Sequence, residues 1–296
     1  MTTNKTAVLQ QPKRVSKTKD LLAFAKFRLT TTVVLSSAMG FGIAPVAFNL
    51  QNFLLVVFGG FLVTGAANGF NQILERDSDK LMARTQNRPL PTGRMSVAQG
   101  IKYATIMSVI GLAMLASINL LSAVLGFLAL FIYVVIYTPL KKITPMAVFV
   151  GAFPGAIPPM LGYVAASGHF GFEPGILFAV QFIWQFPHFW AIAWVADDEY
   201  KKAGIRLLPS KNGRDSYSAN QILLYSLFLI PVSLLPWSFE ISGWWSAIAV
   251  AILGIGFAWF AYDHTRKMTN KSALKIMFAS FLYLPLVQLL YLLDKF

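Results

Sequence analysis

Residues 71–94, NQILERDSDKLMARTQNRPLPTGR, place acids and cations directly after a long apolar segment. On a continuous helix, Asn71, Glu75 and Asp79 recur at i, i+4 and i+8 and share one face. Such a face of amide and carboxylate oxygens can hold Mg²⁺, which binds a few carboxylates and fills its other positions with water and phosphate oxygens. The pattern therefore predicts a magnesium site at Asn71, Glu75 and Asp79.

Two arginines follow the acids within the same stretch. Arg84 and Arg88 lie one helical turn apart, and the rigid guanidinium fork binds two phosphate oxygens at once. Acids for a metal beside arginines for phosphate indicate a diphosphate site. The alternative is an ordinary loop whose charges are solvated and obey the orientation rule of membrane proteins.

The composition of the chain indicates a polytopic membrane protein. Of its 296 residues, 56% are hydrophobic and only 12% are charged, which is too little polar surface for a soluble globule. The absence of cysteine excludes disulfides, thiolate catalysis and cysteine metal sites. The net charge of +13 is better explained by orientation in the membrane than by binding of nucleic acid, because the cations lie at the ends of apolar segments, as the positive-inside rule expects.

Hydropathy predicts an all-α integral membrane protein with about nine transmembrane helices bundled around a central cavity. All cations except Lys295 fall on one side of this topology, which places the N-terminus in the cytosol. Residues 1–21 are predicted to be a cytosolic basic tail, and residues 22–296 a single transmembrane domain that opens to the cytosol. The segments, each long enough to cross roughly 30 Å of hydrocarbon, are 27–47, 52–75, 100–119, 122–140, 146–167, 174–196, 218–237, 243–262 and 273–293.

The sixth apolar segment carries polar side chains that fall on one face of an uninterrupted helix, although Pro187 should kink it. Polar groups in hydrocarbon are costly, so they should face a cavity or the protein interior. The simpler alternative is that they hydrogen-bond neighbouring helices. His188 could act as a base, as a ligand to a metal-centred substrate or as a donor to phosphate. The polar residues are Gln181, Gln185, His188 and Glu199.

Two further stretches carry structural signals. Lys141 and Lys142 end the fourth segment, where anchoring at the membrane surface is the simplest explanation for at least one of them. Residues 151–163, GAFPGAIPPMLGY, contain three prolines that free backbone groups inside the protein. We therefore expect a broken helix that lines a cavity.

The chain resembles the membrane prenyltransferase superfamily typified by 4-hydroxybenzoate polyprenyltransferase, whose hallmark is Asn-x-x-x-Asp-x-x-x-Asp. Within it, the chain is most similar to the protoheme IX farnesyltransferase branch, the heme O synthases, in having Glu75 at the first aspartate position. Four longer motifs carry the same resemblance. They are NRPLPTGR at 87–94, YTPLKKIT at 137–144, GAIPPMLGYVAASG at 155–168 and WQFPHFWAIA at 184–193.

The resemblance implies Mg²⁺-dependent transfer of the farnesyl group from farnesyl diphosphate to a vinyl group of heme B, which becomes a hydroxyethylfarnesyl substituent. It assigns Asn71, Glu75 and Asp79 to Mg²⁺ on the diphosphate, and His188 to the heme side. It also implies an inner-membrane location and a heme A synthase or terminal oxidase downstream. The remaining assignments are Arg84, Arg88 and Lys142 for the diphosphate, and Asp198 and Glu199 for a second acidic site.

The second acidic site departs from the superfamily pattern, because Ala196 and Tyr200 occupy its two aspartate positions. This departure weakens the case for a second Mg²⁺. The nearest rival function is prenyl transfer to a quinone precursor or to chlorophyllide. A transporter is a more distant alternative, because it would place functional charges near mid-membrane, whereas these acids cluster at one interface.

Overall fold

The computed structural model describes residues 16–296, and these residues fold into helices connected by short loops. The only extended pairing among them is an isolated bridge between Ser242 and Lys295. The helices are α1 (Lys17–Phe24), α2 (Phe27–Ile43), α3 (Leu50–Leu74), α4 (Arg76–Asp79), α5 (Val97–Ala116), α6 (Leu120–Phe131), α7 (Thr138–Leu140), α8 (Ala147–Ser167), α9 (Phe172–Lys202), α10 (Ser216–Ser233), α11 (Leu235–Ser238), α12 (Trp244–Lys267) and α13 (Asn270–Leu293), with a π-helical segment at Ile132–Tyr137 between α6 and α7.

The prediction of an all-α membrane bundle is confirmed. Among the described residues, eight helical stretches are long and apolar enough to cross a membrane, and α1 and α2 together form a ninth that is bent by 50°. The nine apolar segments read from the sequence each fall on one of these stretches. Since backbone groups in hydrocarbon need internal partners, a helical bundle is the expected solution for such a chain.

The predicted basic tail divides into two parts. Residues 1–15 lie outside the described residues, whereas residues 17–21 begin α1. The Asp20 carboxylate of α1 accepts a hydrogen bond from Arg94 Nε at 3.0 Å. The end of the predicted tail is therefore packed against the charged stretch that follows α4.

Helices α2 and α8 cross at close range because both carry glycine at the contact. A Cβ atom on Gly40 would collide with the carbonyl oxygen of Pro159, and one on Gly162 would collide with that of Ser37. Small residues let membrane helices approach closely, which increases van der Waals contact between their backbones. This crossing fixes α8 at the centre of the bundle, where most of its residues are buried.

The expectation of a broken helix at residues 151–163 is wrong, because α8 runs unbroken through its three prolines. Pro159 cannot donate to the carbonyl of Gly155 four residues earlier. That carbonyl instead accepts a hydrogen bond from the Gln181 amide of α9 at 2.7 Å. A side chain of a neighbouring helix thus replaces the backbone donor that is missing at Pro159, and α8 continues through this position. Helix α9 is likewise continuous through Pro187.

Candidate functional site

A cavity of about 120 Å³ lies where α3 and α4, the π-helical segment, α7 and the end of α9 meet. It is smaller than the ~300–1,000 Å³ typical of sites that enclose a whole organic ligand. It therefore fits a polar head group, while an attached chain would have to extend between the helices.

The cavity brings together the three residues predicted to hold a metal, although the helix that carries them is not continuous. Helix α3 ends at Leu74, Glu75 is the junction, and α4 follows. The Glu75 amide still donates to the Asn71 carbonyl at 2.9 Å, and the Asp79 amide donates to the Glu75 carbonyl at 2.8 Å. Because this i to i−4 pattern survives the junction, Asn71, Glu75 and Asp79 all line the cavity.

The two carboxylates are buried and each is paired with a cation. Lys141 Nζ lies 2.5 Å from Glu75 Oε1, and Arg88 Nη1 lies 2.7 Å from Asp79 Oδ2. The Asn71 amide nitrogen donates to Glu75 Oε2 at 2.8 Å. Pairing of this kind is what allows buried charges to persist. The cluster is a compact set of acids and cations held in one cavity.

Burial and the neighbouring cations shift the two carboxyl pKa values in opposite directions. For Glu75, burial would raise the pKa, but Lys141, together with Lys26 and Asn71, outweighs this effect, and the pKa lies below its ordinary value. For Asp79, burial outweighs the attraction of Arg88 and raises the pKa. Asp79 is therefore the carboxylate whose negative charge is less well compensated within the protein.

The donor set fits a hard cation such as Mg²⁺. Asp79 Oδ1 is buried and has no hydrogen-bond partner among the described residues, so one carboxylate oxygen in the cavity lacks compensation. The described part of the chain contains no group of three or more His, Asp or Glu arranged to hold a metal. The cavity instead offers two carboxylates and one amide oxygen. Such a small set of protein ligands leaves the other coordination positions of Mg²⁺ to water and to substrate phosphate oxygens.

Lys26 also lines the cavity, although no pattern in the sequence predicted a role for it. It is the elbow between α1 and α2, with a left-handed backbone at φ 48°, which is uncommon outside glycine. The buried Gln72 amide nitrogen donates to the carbonyls of Ala23 and Phe24 and fixes this elbow. Lys26 Nζ then reaches Asn71 Oδ1 at 3.0 Å. A conformation held against its intrinsic cost points to a functional role.

Replacement of Lys26 by methionine is expected to weaken prenyl diphosphate binding by about tenfold to a hundredfold. It removes one charge-assisted contact, of the order of 1.5–3 kcal/mol, while keeping the apolar stem. Binding of farnesyl diphosphate to the purified protein measures this. Arg28→Met is the matched control, because Arg28 is exposed two residues away and does not line the cavity. Equal losses in both variants would contradict a specific role for Lys26.

Two aromatic rings also line the cavity. Tyr133 and Tyr137 lie in the π-helical segment and line the cavity with their ring centroids 5.3 Å apart. Lys141 Nζ sits 4.9 Å from the Tyr137 ring centroid. The Thr138 hydroxyl accepts from the Asn71 amide and donates to the Tyr133 carbonyl, so it ties this wall to the acid cluster. Single π-helical turns are frequent at functional sites.

Several predicted residues lie outside the cavity. Lys142 is exposed, and its neighbour Lys141 takes the place expected for it. Asp198 is also exposed and pairs with Arg214 at 3.0 Å. Glu199 accepts hydrogen bonds from the Ala83 amide and from Lys202, both at 2.6 Å, and does not line the cavity. The two acids of the predicted second site therefore do not form an oxygen cluster with the first.

The polar stripe of α9 is mostly occupied by contacts between helices. The Gln181 side-chain oxygen accepts from Ser36 at 2.6 Å and from Gln288 at 2.9 Å. The Gln185 amide donates to the Ala152 carbonyl at 2.9 Å. These contacts agree with the simpler interpretation, in which the glutamines join neighbouring helices. They hold α9 against α2, α8 and α13.

His188 lies deeper along α9 than the cavity, about 18 Å from Tyr200 at 1.5 Å per residue. Its Nδ1 is 2.7 Å from the Ser280 hydroxyl, and its ring stacks on Trp184 with centroids 4.4 Å apart. Phe281 contacts it edge-on at 5.0 Å. The imidazole is thus held in a fixed orientation among aromatic side chains, apart from the charged cluster.

The sequence contained partial signals for the cavity residues that the patterns missed. Tyr133, Tyr137 and Lys141 recur at intervals of four, which places them on one side of a helix. Tyr200, which also lines the cavity, was noted only as a departure from an aspartate motif. Lys26 carried no signal beyond its place before an apolar segment, because its function depends on the elbow.

The comparisons with known proteins agree on one protein family. The UbiA prenyltransferase family matches residues 33–283. A curated protoheme IX farnesyltransferase from Cytophaga hutchinsonii is 51% identical over 272 residues, covering 91% of this chain and 95% of the relative.

Solved structures share the fold at low identity. A digeranylgeranylglyceryl phosphate synthase structure superposes with a TM-score of 0.79 at 21% identity, covering 95% of this chain and 99% of that one. A UbiA homologue from Archaeoglobus fulgidus, bound to GPP and Mg²⁺, superposes with a TM-score of 0.68 at 18% identity, covering 92% of this chain and 99% of that one.

Proposed function

Since the chain belongs to the UbiA prenyltransferase family and is similar over nearly its whole length to protoheme IX farnesyltransferases, we propose that it transfers the farnesyl group of farnesyl diphosphate to a vinyl group of heme B. The products are heme O, which carries a hydroxyethylfarnesyl substituent, and diphosphate. The observation that carries this proposal is the cavity in which Asn71, Glu75 and Asp79 meet the cations Lys26, Arg84, Arg88 and Lys141.

The cavity residues suit the bond that must break. When the allylic carbon–oxygen bond of farnesyl diphosphate breaks, its electron pair leaves with the diphosphate, and positive charge develops on the farnesyl carbon. Preorganised cations stabilise the negative charge that grows on the leaving group. The Tyr133 and Tyr137 rings present a wall beside the developing cation, which the face of an aromatic ring attracts. The vinyl group then forms the new carbon–carbon bond with its terminal carbon. Water adds to the cation left on its other carbon and loses a proton, which gives the hydroxyl of the product.

Mg²⁺ is the cofactor we propose, held by the oxygens of Asn71, Glu75 and Asp79. When bound, it neutralises charge on the diphosphate oxygens. The solved Archaeoglobus fulgidus relative binds GPP together with Mg²⁺, which supports a divalent ion in this fold. Arg84, Arg88 and Lys141 complete the diphosphate side, with Lys141 in place of the Lys142 predicted from sequence.

Water must be kept from the allylic cation, which it would otherwise hydrolyse. The cavity lies at the end of a helical bundle, and its size admits the head group while the farnesyl chain extends between apolar helices. Two apolar substrates can then arrive laterally from the lipid. The distribution of the cations supports a cytosolic N-terminus and a cytosolic opening in the cell inner membrane. A heme A synthase or a terminal oxidase is the downstream partner expected for the product.

We assign His188 to the heme side of the reaction. His188→Ala is expected to retain farnesyl diphosphate binding within about twofold and to lower heme turnover by at least tenfold, an effect of ~1.4 kcal/mol or more. The reason is that the imidazole lies apart from the diphosphate cavity on the same helix. Parallel measurements of prenyl diphosphate binding and heme product check this. Weakened binding of farnesyl diphosphate in His188→Ala would contradict the assignment of His188 to the heme side.

The proposed reaction is tested with purified full-length protein, Mg²⁺, farnesyl diphosphate and a set of acceptors. Heme B should give a farnesylated product and one diphosphate for each product formed, and chelation of the metal should stop both. A quinone precursor or chlorophyllide should give none. Turnover with one of these acceptors and none with heme B would favour the sibling prenyltransferases instead.

A further inference from the structure

Two consecutive residues at the end of α9 hold the loop between α4 and α5, residues 80–96, from across the molecule. Glu199 Oε2 accepts a hydrogen bond from the Ala83 amide at 2.6 Å. The Arg84 guanidinium lies 5.8 Å from the Tyr200 ring centroid and 3.4 Å from its hydroxyl oxygen. We call these four residues the clasp. Its partners are separated by 116 residues, so it joins the two halves of the chain beside the cavity that Arg84 and Tyr200 line.

We propose that Glu199 is a positioning residue that fixes the α4–α5 loop through the Ala83 amide and so sets the place of Arg84 in the cavity, rather than a metal ligand. This inference rests on the proposed function, in which Arg84 binds the diphosphate.

Both oxygens of Glu199 are already used. Oε2 accepts from the Ala83 amide, and Oε1 accepts from Lys202 Nζ at 2.6 Å. Glu199 is absent from the cavity wall, whereas Arg84 and Tyr200 line it. The adjacent Asp198 is exposed and pairs with Arg214, so it supplies no second carboxylate to a metal beside Glu199.

Arg84, the residue that the clasp positions, has a guanidinium group that is available to bind a ligand. Among the described residues, Arg84 forms no ion pair with an acid, in contrast to Arg88, which is paired with Asp79. An unpaired guanidinium in a cavity is suited to bind phosphate oxygens. Its position depends on the backbone of residues 82–84, and a charge-assisted bond to a backbone amide is among the stronger ways to fix a loop.

The decisive comparison uses Glu199→Ala, Glu199→Gln and, as matched control, Asp198→Asn in the purified full-length protein. Glu199→Ala should raise KM for farnesyl diphosphate about tenfold while kcat changes less than about twofold, because uniform substrate binding is what is lost. Glu199→Gln keeps an oxygen acceptor and should restore most of the affinity. Asp198→Asn should behave as the wild type, and the Mg²⁺ concentration needed for half-maximal rate should be unchanged in all three.

Hydrogen–deuterium exchange of residues 82–86, measured without substrate, tests the clasp independently of activity. It should accelerate in Glu199→Ala and less so in Glu199→Gln. A Glu199→Gln variant as impaired as Glu199→Ala, with a raised Mg²⁺ requirement, would assign Glu199 to the metal and overturn the proposal. Unchanged KM and exchange in Glu199→Ala would also overturn it. If the wild type does not turn over farnesyl diphosphate, the proposed function fails. The exchange result still shows whether Glu199 fixes the loop through the Ala83 amide.

Discussion

Replacement of Glu75 by glutamine is expected to lower the rate of farnesyl transfer about a thousandfold, an effect of several kcal/mol on the transition state. Glu75 supplies a buried carboxylate to the cavity, and its Oε1 lies 2.5 Å from Lys141 Nζ. The glutamine keeps the shape but removes the charge that both a metal ion and Lys141 require. The rate of product formation at saturating substrates measures the effect.

Asp77→Asn is the matched control for this variant. Asp77 lies two residues from Glu75 and carries the same charge, but it is exposed and pairs on the surface with Arg76 and Lys80. We expect its rate to stay within about twofold of the wild type, since exposed ion pairs contribute ~0–1 kcal/mol. A Glu75→Gln enzyme with a nearly normal rate would remove Glu75 from the metal site. Thermal unfolding of both variants separates catalytic loss from instability.

The adjacent lysines Lys141 and Lys142 provide the second large expected difference. Lys141→Met should lower kcat/KM for farnesyl diphosphate by a factor of about a hundred to a thousand, as removal of one preorganised donor typically does. Lys142→Met should leave it within about twofold. The reason is that Lys141 is buried against Glu75 and lines the cavity, while Lys142 is exposed.

Steady-state kinetics of the two variants at several substrate concentrations measure this difference. The lysines are neighbours of identical chemistry, so any general effect of lost charge on membrane insertion or expression should be similar for both. A larger loss in Lys142→Met than in Lys141→Met would show that the wrong lysine has been placed in the cavity.

Much of the fold follows from the sequence because hydrophobic length is a local property. Each of the nine apolar segments matches a helix or a joined pair of helices in the structure. The face shared by Asn71, Glu75 and Asp79 was also predictable, because it depends only on the helical repeat. The break at Glu75 does not destroy it, since the backbone hydrogen bonds continue across the junction.

The choice between Lys141 and Lys142 could not be made from the sequence. Lys141 and Lys142 lie in the turn that follows α7, and adjacent residues of a helical turn point about 100° apart. The orientation of this turn within the bundle therefore decides which lysine enters the cavity. Lys26 was missed for a related reason. Its side chain reaches Asn71 only because of the left-handed elbow that Gln72 holds from another helix.

The second acidic stretch shows what spacing alone leaves undetermined. Asp198 and Glu199 are acids at the expected distance from the sixth apolar segment, yet one is exposed and the other binds the Ala83 amide. That contact joins residues far apart in the chain, and no local pattern encodes it. The prolines of α8 are a parallel case, since the Gln181 amide of α9 satisfies the carbonyl that Pro159 leaves free.

Mass analysis of heme extracted from membranes that express the wild type, Glu75→Gln or Asp77→Asn tests the central claim most directly. We predict a heme whose mass has increased by one farnesyl group and one hydroxyl group in the wild type and in Asp77→Asn. We predict only unmodified heme B in Glu75→Gln. Unmodified heme B in all three membranes, with folded protein present, would contradict farnesyl transfer to heme.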